Sequence, residues 1–398
     1  MRVTFDRKSL LAAAEVLLPC IPKRDTKPIL RAFLLTCADG QAELAATDLD
    51  VGCRCELAAA ADEDGGVLVV AEPLVKLLRE LPEEEIALEE EVGCVRLEAA
   101  KSSIKLPHLG DVKHYPDIPR LADVPCHEAD AALLRHHLDA VRWIVPTPSE
   151  GLVVEKYYRG ARALQWLVGA DGRLHLTATD GHVLGTASLP LAGQPELPFK
   201  ASEWPLLPGK AMQLLSGVLA RATAEGATCK IRLQKQDALF QAAGCTLYSR
   251  LCEGKYPDWI NGWTKEPTTD AVVDRDALLS ALRQAAVLWD DLEHFTTLRF
   301  TAGLLTVASR PGERGSASVE LACRYGGSDS TWVFQGPLLL ELVRALPAGD
   351  VTLGLVSSMK QLPVAAEDGV RYIAVPCAPP REPEPVKRGR RQAEPAAV

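Results

Sequence analysis

The sequence lacks the long apolar segments that export and membrane insertion require. No run of eighteen uncharged apolar residues occurs in its 398 residues, and no basic start followed by an apolar segment stands at its N-terminus. The eleven cysteines are odd in number and scattered, and the one close pair, Cys53 and Cys55, has no second pair near it. We therefore predict a cytoplasmic protein with reduced, mostly buried thiols and no metal site.

Two enzyme signatures are also missing. The chain has no glycine-rich phosphate loop that ends in Lys-Ser or Lys-Thr, and no Gly-x-Ser-x-Gly segment for a nucleophile elbow. Aromatic residues make up only 5% of the chain, whereas 47% is apolar and 24% charged. This composition predicts a large buried core divided among two to four domains. The net charge of −9 excludes a uniformly basic surface but permits a local basic one.

What the sequence does contain is an internal repeat. A short strand pattern leads into an amphipathic helix three times, at 2–14, 131–138 and 271–282. A second helix pattern follows later in each unit, at 70–79, 208–215 and 336–344. We predict an α+β protein of three repeated domains, each built from two βαβββ-like halves with antiparallel sheets. The predicted boundaries are 1–124, 125–264 and 265–380, followed by a disordered, Pro-rich basic tail at 381–398.

The stretch 178–185 carries the most distinctive local chemistry. Its strand pattern breaks at Asp180-Gly181, which predicts a tight turn. Asp180 and His182 fit two roles: turn formation, or a hydrolase triad with a nearby Ser or Cys nucleophile. The pair Thr179-Asp180 has a copy, Thr47-Asp48, 132 positions earlier, which favours a turn former shared by the repeats. The third copy, at 305–310, has lost the Thr-Asp pair.

Basic residues recur on all six predicted helices. Two interpretations stay open for them: a lining that holds phosphates without reading bases, or ordinary solvated helix faces. The loop cations Lys23 and Arg24 fit a phosphate backbone, and Tyr157-Tyr158 fits either base stacking or half-buried structure. The candidate DNA contacts are Lys23, Arg24, Lys76, Arg79, Arg135, Tyr157, Tyr158, Lys210, Arg283 and Arg344.

Five short motifs, taken in order, resemble those of the bacterial DNA polymerase III β subunit family, the β sliding clamps. They are Thr-Lys-Pro-Ile-Leu at 26–30, Ala-Thr-Asp-Leu at 46–49, Ala-Thr-Asp-Gly-His at 178–182, Tyr-Pro-Asp at 256–258 and Tyr-Ile-Ala-Val-Pro at 372–376. The resemblance extends along residues 1 to about 377. It implies a non-catalytic processivity factor without a cofactor, whose head-to-tail homodimer forms a ring around duplex DNA, with helices inside and sheets outside. Its implied partners are double-stranded DNA, the polymerase III catalytic subunit, an ATP-driven clamp loader and other clients, with no membrane.

The resemblance also implies two protein interfaces. Ile104 and Leu106 of one chain would meet Val287 and Leu288 of the next in the ring. Clients would insert a short peptide between the second and third domains. The matching pocket positions are Thr179, Gly181, His182, Val183, Leu184, Pro257, Asn261, Phe295, Leu338, Ile373, Val375, Pro376 and Cys377.

The chain departs from the family pattern at the pocket rim. Val183 and Asn261 stand where the family usually has Arg, and Cys377 opens an altered chain end. Fewer cations would weaken pairing with acidic peptide residues, so we expect more apolar clients. A divergent paralogue with altered clients, or a clamp-like scaffold whose basic tail binds nucleic acid, therefore remains an alternative.

Overall fold

A computed structural model of the chain describes residues 1–22, 27–38, 40–61, 64–82, 84–122, 125–146, 162–169, 171–193, 204–259, 267–289, 294–310, 312, 314–356, 361–366 and 368–377. Within these ranges, no helix is long and apolar enough to cross a membrane.

The described part of the chain contains six α-helices of ten to twelve residues. Three of them begin at an aspartate whose carboxylate accepts a backbone N–H three residues later: Asp6 from Ser9, Asp130 from Leu133 and Asp274 from Ala277, at 2.7 to 2.8 Å. Such a cap contributes about 1 kcal/mol and fixes where the helix starts. The helices are Arg7–Leu17 (α1), Ala71–Glu80 (α2), Ala131–Arg142 (α3), Gly209–Ala220 (α4), Arg275–Ala286 (α5) and Gly336–Ala345 (α6).

The strands confirm the predicted repeat. Each of the three repeats runs strand, helix and three strands, twice over, with short additional strands β5 and β22 in the first and third. The first repeat contains Arg2–Asp6 (β1), Ala32–Ala38 (β2), Gln41–Thr47 (β3), Val51–Leu57 (β4), Ala59–Ala61 (β5), Gly65–Val70 (β6), Glu85–Glu91 (β7), Cys94–Ala99 (β8) and Ser102–Pro107 (β9). The second contains His127–Asp130 (β10), Ala163–Val168 (β11), Arg173–Thr179 (β12), Val183–Pro190 (β13), Leu206–Pro208 (β14), Thr228–Leu233 (β15), Asp237–Ala242 (β16) and Cys245–Arg250 (β17). The third contains Thr269–Asp274 (β18), Phe295–Thr301 (β19), Leu304–Ser309 (β20), Ser318–Ala322 (β21), Arg324–Tyr325 (β22), Ser330–Gln335 (β23), Asp350–Leu355 (β24), Leu362–Ala365 (β25) and Arg371–Ala374 (β26).

Of the four antiparallel sheets that the described residues form, two join neighbouring repeats. In the eight-stranded sheet, β17 of the second repeat pairs with β4 of the first, and we call this junction the first seam. In the nine-stranded sheet, β26 of the third repeat pairs with β13 of the second, which we call the second seam. The five-stranded sheet (β5-β1-β7-β8-β9) and the four-stranded sheet (β21-β20-β19-β23) belong to the first and third repeats alone.

The helices pack in pairs against these sheets. α1 contacts α2, α3 contacts α4 and α5 contacts α6, and α1 also meets α4 across the first seam. The apolar face of each helix is buried on the sheets, and Trp166 and Phe240 are completely buried with ring centroids 5.2 Å apart. The first two repeats are therefore held together by both a shared sheet and a helix contact.

The structure corrects the prediction that all cysteines are reduced. Cys55 on β4 and Cys245 on β17 lie directly opposite each other in the first seam, with Cα atoms 4.1 Å apart, and form a disulfide. The pairing escapes the spacing argument because 190 residues separate the two cysteines in the chain. The other nine are free thiols, five of them buried.

Candidate functional site

The Thr-Asp pair forms the same turn in both copies. Thr179 donates its hydroxyl to the Val183 carbonyl (2.9 Å) and accepts from Gly181 N, while Asp180 Oδ1 accepts from His182 N (2.8 Å) and Val183 N (2.7 Å). Residues 47–51 repeat every one of these bonds at 2.7 to 3.0 Å. The third turn position has positive φ in both: +93° at Gly181 and +83° at Leu49. The interpretation of Asp180 as a turn former is confirmed.

This geometry leaves Asp180 without a role in catalysis. Its carboxylate is buried, is held by two backbone N–H groups, and has its pKa raised by burial. The thiol beside His182 is that of Cys377, with Sγ 3.9 Å from Nδ1, and burial raises its pKa, which disfavours the thiolate that a nucleophile needs. The arrangement of the described residues therefore gives the hydrolase alternative no support. No cluster of three metal-ligating side chains occurs among the described residues either.

The second seam brings the predicted pocket residues together. Leu184 on β13 lies opposite Ile373 on β26, and Val375 N donates to the His182 carbonyl at 2.7 Å. The chain then continues beside β23, where Cys377 N donates to the Val333 carbonyl at 2.7 Å. His182, Leu184, Val375, Pro376 and Cys377 are all half-buried, so they form an apolar surface at the end of the seam.

Other predicted pocket residues lie on or beside elements that neighbour the second seam. Tyr256, next to Pro257, donates its hydroxyl to the Thr177 carbonyl (3.0 Å) and so holds the Tyr-Pro-Asp turn against β12. Phe295 pairs with Gln335 on β23, just before α6, which carries the half-buried Leu338. Sequence reasoning missed Val333 and Gln335, because only the fold places β23 beside the chain end.

The structure corrects the assignment of Val183 to the pocket. It is 2% exposed and belongs to the hydrophobic core, whereas its neighbours His182 and Leu184 are half-buried. Successive side chains of a strand point to opposite faces, so Val183 faces inward and does not line the pocket. Asn261 lies outside the described residues, as do Lys23, Arg24, Tyr157, Tyr158 and the tail 381–398.

The first seam has the same backbone framework but different side chains. Arg250 N donates to the Asp50 carbonyl, and Cys252 N donates to the Leu206 carbonyl, as Val375 and Cys377 do in the second seam. Here the Lys210 ammonium binds the Asp48 carboxylate and the Cys20 carbonyl (3.3 Å). An ion pair and the Cys55–Cys245 disulfide thus occupy the first seam, whereas the second carries an apolar surface.

The predicted DNA contacts that the structure describes all lie on helices. Lys76 and Arg283 are exposed and form no ion pair with any residue that the structure describes. Arg79, Arg135 and Arg344 are exposed but bind Glu15, Asp139 and Glu341 at 2.7, 3.6 and 2.5 Å. Lys210 differs, because it is held inside the first seam. As DNA contacts, all of these remain predictions.

Two edge strands, β9 and β21, occupy positions that form a seam elsewhere in the chain. Each seam pairs the last strand of one repeat's second half with the last strand of its neighbour's first half. By the same rule β9 and β21 lack a partner, since each is paired on one side only within the described sheets. The predicted interface residues Ile104 and Leu106 lie on β9, and Val287, 74% exposed, follows α5, which packs on β21.

Comparison with known proteins agrees with this architecture. Residues 1–119 match the family described as DNA polymerase III beta subunit, N-terminal domain. The beta sliding clamp of Caulobacter vibrioides strain NA1000 is 24% identical over 384 residues, and that of Escherichia coli K12 is 26% identical over 388; each alignment covers 94% of this chain and 99% of the relative.

Solved structures give the same result for the fold. The DNA polymerase III beta subunit of Thermotoga maritima superposes with a TM-score of 0.82 at 20% identity, covering 95% of this chain and 99% of the other. The sliding clamp of Bartonella birtlesii bound to griselimycin gives 0.83 at 22% identity, with the same coverage. The N-terminal 119 residues therefore match this family, and along 94% of its length the chain is similar to bacterial beta sliding clamps and shares the fold of their solved structures.

Proposed function

We propose that this chain is a DNA sliding clamp, a non-catalytic protein that encircles duplex DNA as a head-to-tail homodimer in the cytoplasm. In that ring it tethers the replicative polymerase and other clients for processive synthesis. The observation that carries the proposal is the incomplete third seam. The described part of each chain has two complete seams and two unpaired strands, β9 and β21, of the kind that form a seam. Two chains arranged head to tail satisfy all four edges and close a ring.

The side chains of these edges complement each other. β9 alternates half-buried or buried Ile104 and Leu106 with exposed Lys105, and β21 alternates half-buried Val319 and Leu321 with exposed Glu320. An antiparallel pairing would place the apolar residues on one face and opposite charges on the other. We place the domain boundaries near residue 124, between β9 and β10, and near residue 264, between β17 and β18.

A closed ring explains how an acidic protein retains DNA. Topological closure replaces tight binding, so a few exposed cations facing the hole, such as Lys76, Arg135 and Arg283, suffice to hold phosphates without reading bases. The experiment that tests this compares retention on nicked circular and linear DNA, because only a ring loses its DNA when an end is created.

For clients we propose the surface at the second seam. His182, Leu184, Ile373, Val375 and Cys377 would bury apolar anchor residues of a short peptide. Since Val183 is a core residue rather than a rim cation, and Cys377 is a small apolar thiol, we expect clients that bind through Leu and aromatic side chains more than through acidic ones.

A further inference from the structure

A buried histidine joins the second repeat to the third. His137 on α3 is 1% exposed, and both ring nitrogens face carbonyl oxygens at 2.8 Å: Nδ1 the Leu133 carbonyl one turn back on α3, and Nε2 the Asp368 carbonyl in the turn between β25 and β26. The ring thus lies between two backbone segments and within hydrogen-bond distance of a carbonyl oxygen on each of them.

The same helix holds β26 at a second point. Tyr372 is completely buried and donates its hydroxyl to the Ala140 carbonyl at 2.8 Å. Gly185 on β13 makes this packing possible, because a Cβ there would lie 2.4 Å from Ile144 Cδ1 and 3.2 Å from Tyr372 Cδ1. α3, β13 and β26 therefore form one close-packed joint at the second seam.

The hairpin turn that His137 contacts has an unusual backbone. Asp368 adopts φ +54°, a left-handed conformation that is rare outside glycine and needs support from its surroundings. The next strand carries Ile373, opposite Leu184, and leads to Val375, bonded to His182. The position of this turn thus sets the position of one wall of the apolar surface at the second seam.

We propose that His137 is a positioning residue: because its buried ring lies between a carbonyl of α3 and a carbonyl of the hairpin turn, it fixes the β25–β26 hairpin to α3 and thereby the wall formed by Ile373 and Val375. The consequence for clients rests on the function proposed above, whereas the consequence for the hairpin does not. No chemistry is involved, since the ring acts only through hydrogen bonds.

The test compares His137→Gln, which keeps one donor, and His137→Leu, which keeps none, with the wild type. His136→Gln is the matched control, because that ring is exposed on the same helix. Amide hydrogen exchange of residues 371–374 is measured in the full-length protein. We expect protection to fall in the order wild type, Gln, Leu, by about tenfold overall.

A second readout is the affinity of a fluorescent hexapeptide with Leu and Phe anchors, which we expect to weaken about threefold to tenfold in His137→Leu. Equal protection in His137→Leu and wild type would overturn the proposal, since it would reduce the ring to a packing element. If the peptide binds none of the proteins, the client site fails, and the exchange order alone still decides the role of His137.

Discussion

The Lys210 ammonium at the start of α4 binds the Asp48 carboxylate in the first seam. Asp48 Oδ1 meanwhile accepts the turn's own Asp50 N–H and Val51 N–H, so one carboxylate both forms the turn and fastens it to the neighbouring repeat. The second seam has the same turn at Asp180 but lacks this ion pair, because α6 begins Gly336-Pro337 where α4 begins Gly209-Lys210. The Lys210–Asp48 ion pair therefore distinguishes the first seam from the second, which carries an apolar surface instead.

Replacing this lysine tests its assignment to the seam. Lys210→Met should lower the free energy of unfolding by about 1–2 kcal/mol, because the partly buried Asp48 loses its counter-ion. Denaturant titration measures the change, and a double-mutant cycle with Asp48→Asn should show the coupling. The slope of DNA affinity against salt should stay as in wild type, whereas Arg283→Gln should reduce it by about one unit. A reduced slope in Lys210→Met would instead make Lys210 a DNA contact.

Asp180, the turn aspartate of the second seam, should make the free energy of unfolding depend on pH in a definite direction. Burial raises the folded-state pKa of Asp180 above its usual value of 3.8, so the folded state binds the proton more tightly than the unfolded chain does. Stability from this group is greatest below pH 3.8 and falls as pH rises through the folded-state pKa.

Asp180→Asn keeps an oxygen for the backbone N–H groups and removes the charge. Its stability should therefore improve relative to wild type between pH 3 and pH 7, as followed by chemical denaturation, while Asp180→Ala should be destabilised by about 1–3 kcal/mol throughout. Wild type gaining on the Asn variant as pH rises would contradict the assigned direction of the pKa.

Much of the fold can be predicted from the sequence, because the repeat is marked by interactions between residues that are close together in the chain. The three Asp-capped helices, the duplicated Thr-Asp turn and the Tyr-Pro-Asp turns each follow from nearby residues. The disulfide, the Lys210–Asp48 pair and the contribution of Val333 do not, because each joins residues far apart in the chain. Val183 shows a further limit: a motif transfers the position, but strand alternation decides which side chain reaches the surface.

The client surface predicts a contrast between the two seams. Leu184→Ala should weaken binding of a labelled peptide with Leu and Phe anchors about tenfold, since it truncates an apolar contact at the centre of the surface. Fluorescence anisotropy gives the affinity. Leu49→Ala, at the matching turn of the first seam, serves as control and should bind as wild type does. Equal losses in both variants would show that the peptide does not bind at the second seam.

His182→Ala separates client binding from ring formation. It should weaken peptide binding while the dimer mass and DNA retention stay unchanged, because His182 contacts Cys377 and precedes β13 of the nine-stranded sheet, whereas β9 and β21 belong to other sheets. Light scattering and the retention assay provide the comparison. Loss of the dimer in this variant would contradict the separation of the two sites.

The strand edges predict the oligomeric state. Light scattering should give twice the mass of one 43.0 kDa chain for the wild type. Ile104→Glu should produce monomers, because it places a charge among apolar residues of the proposed β9–β21 pairing. Ser103→Glu, on the exposed side of β9, is the control and should retain more of the dimer than Ile104→Glu does. A monomeric wild type, or a dimer indifferent to Ile104→Glu, would locate the contact elsewhere.

Topological retention on DNA tests the central claim most directly. The chain, loaded onto a nicked circular plasmid by its clamp loader, should remain bound through gel filtration at moderate salt and should leave once a restriction enzyme linearises the circle. A protein that remains equally bound to circular and linear DNA, or to neither, would contradict the account of a closed ring.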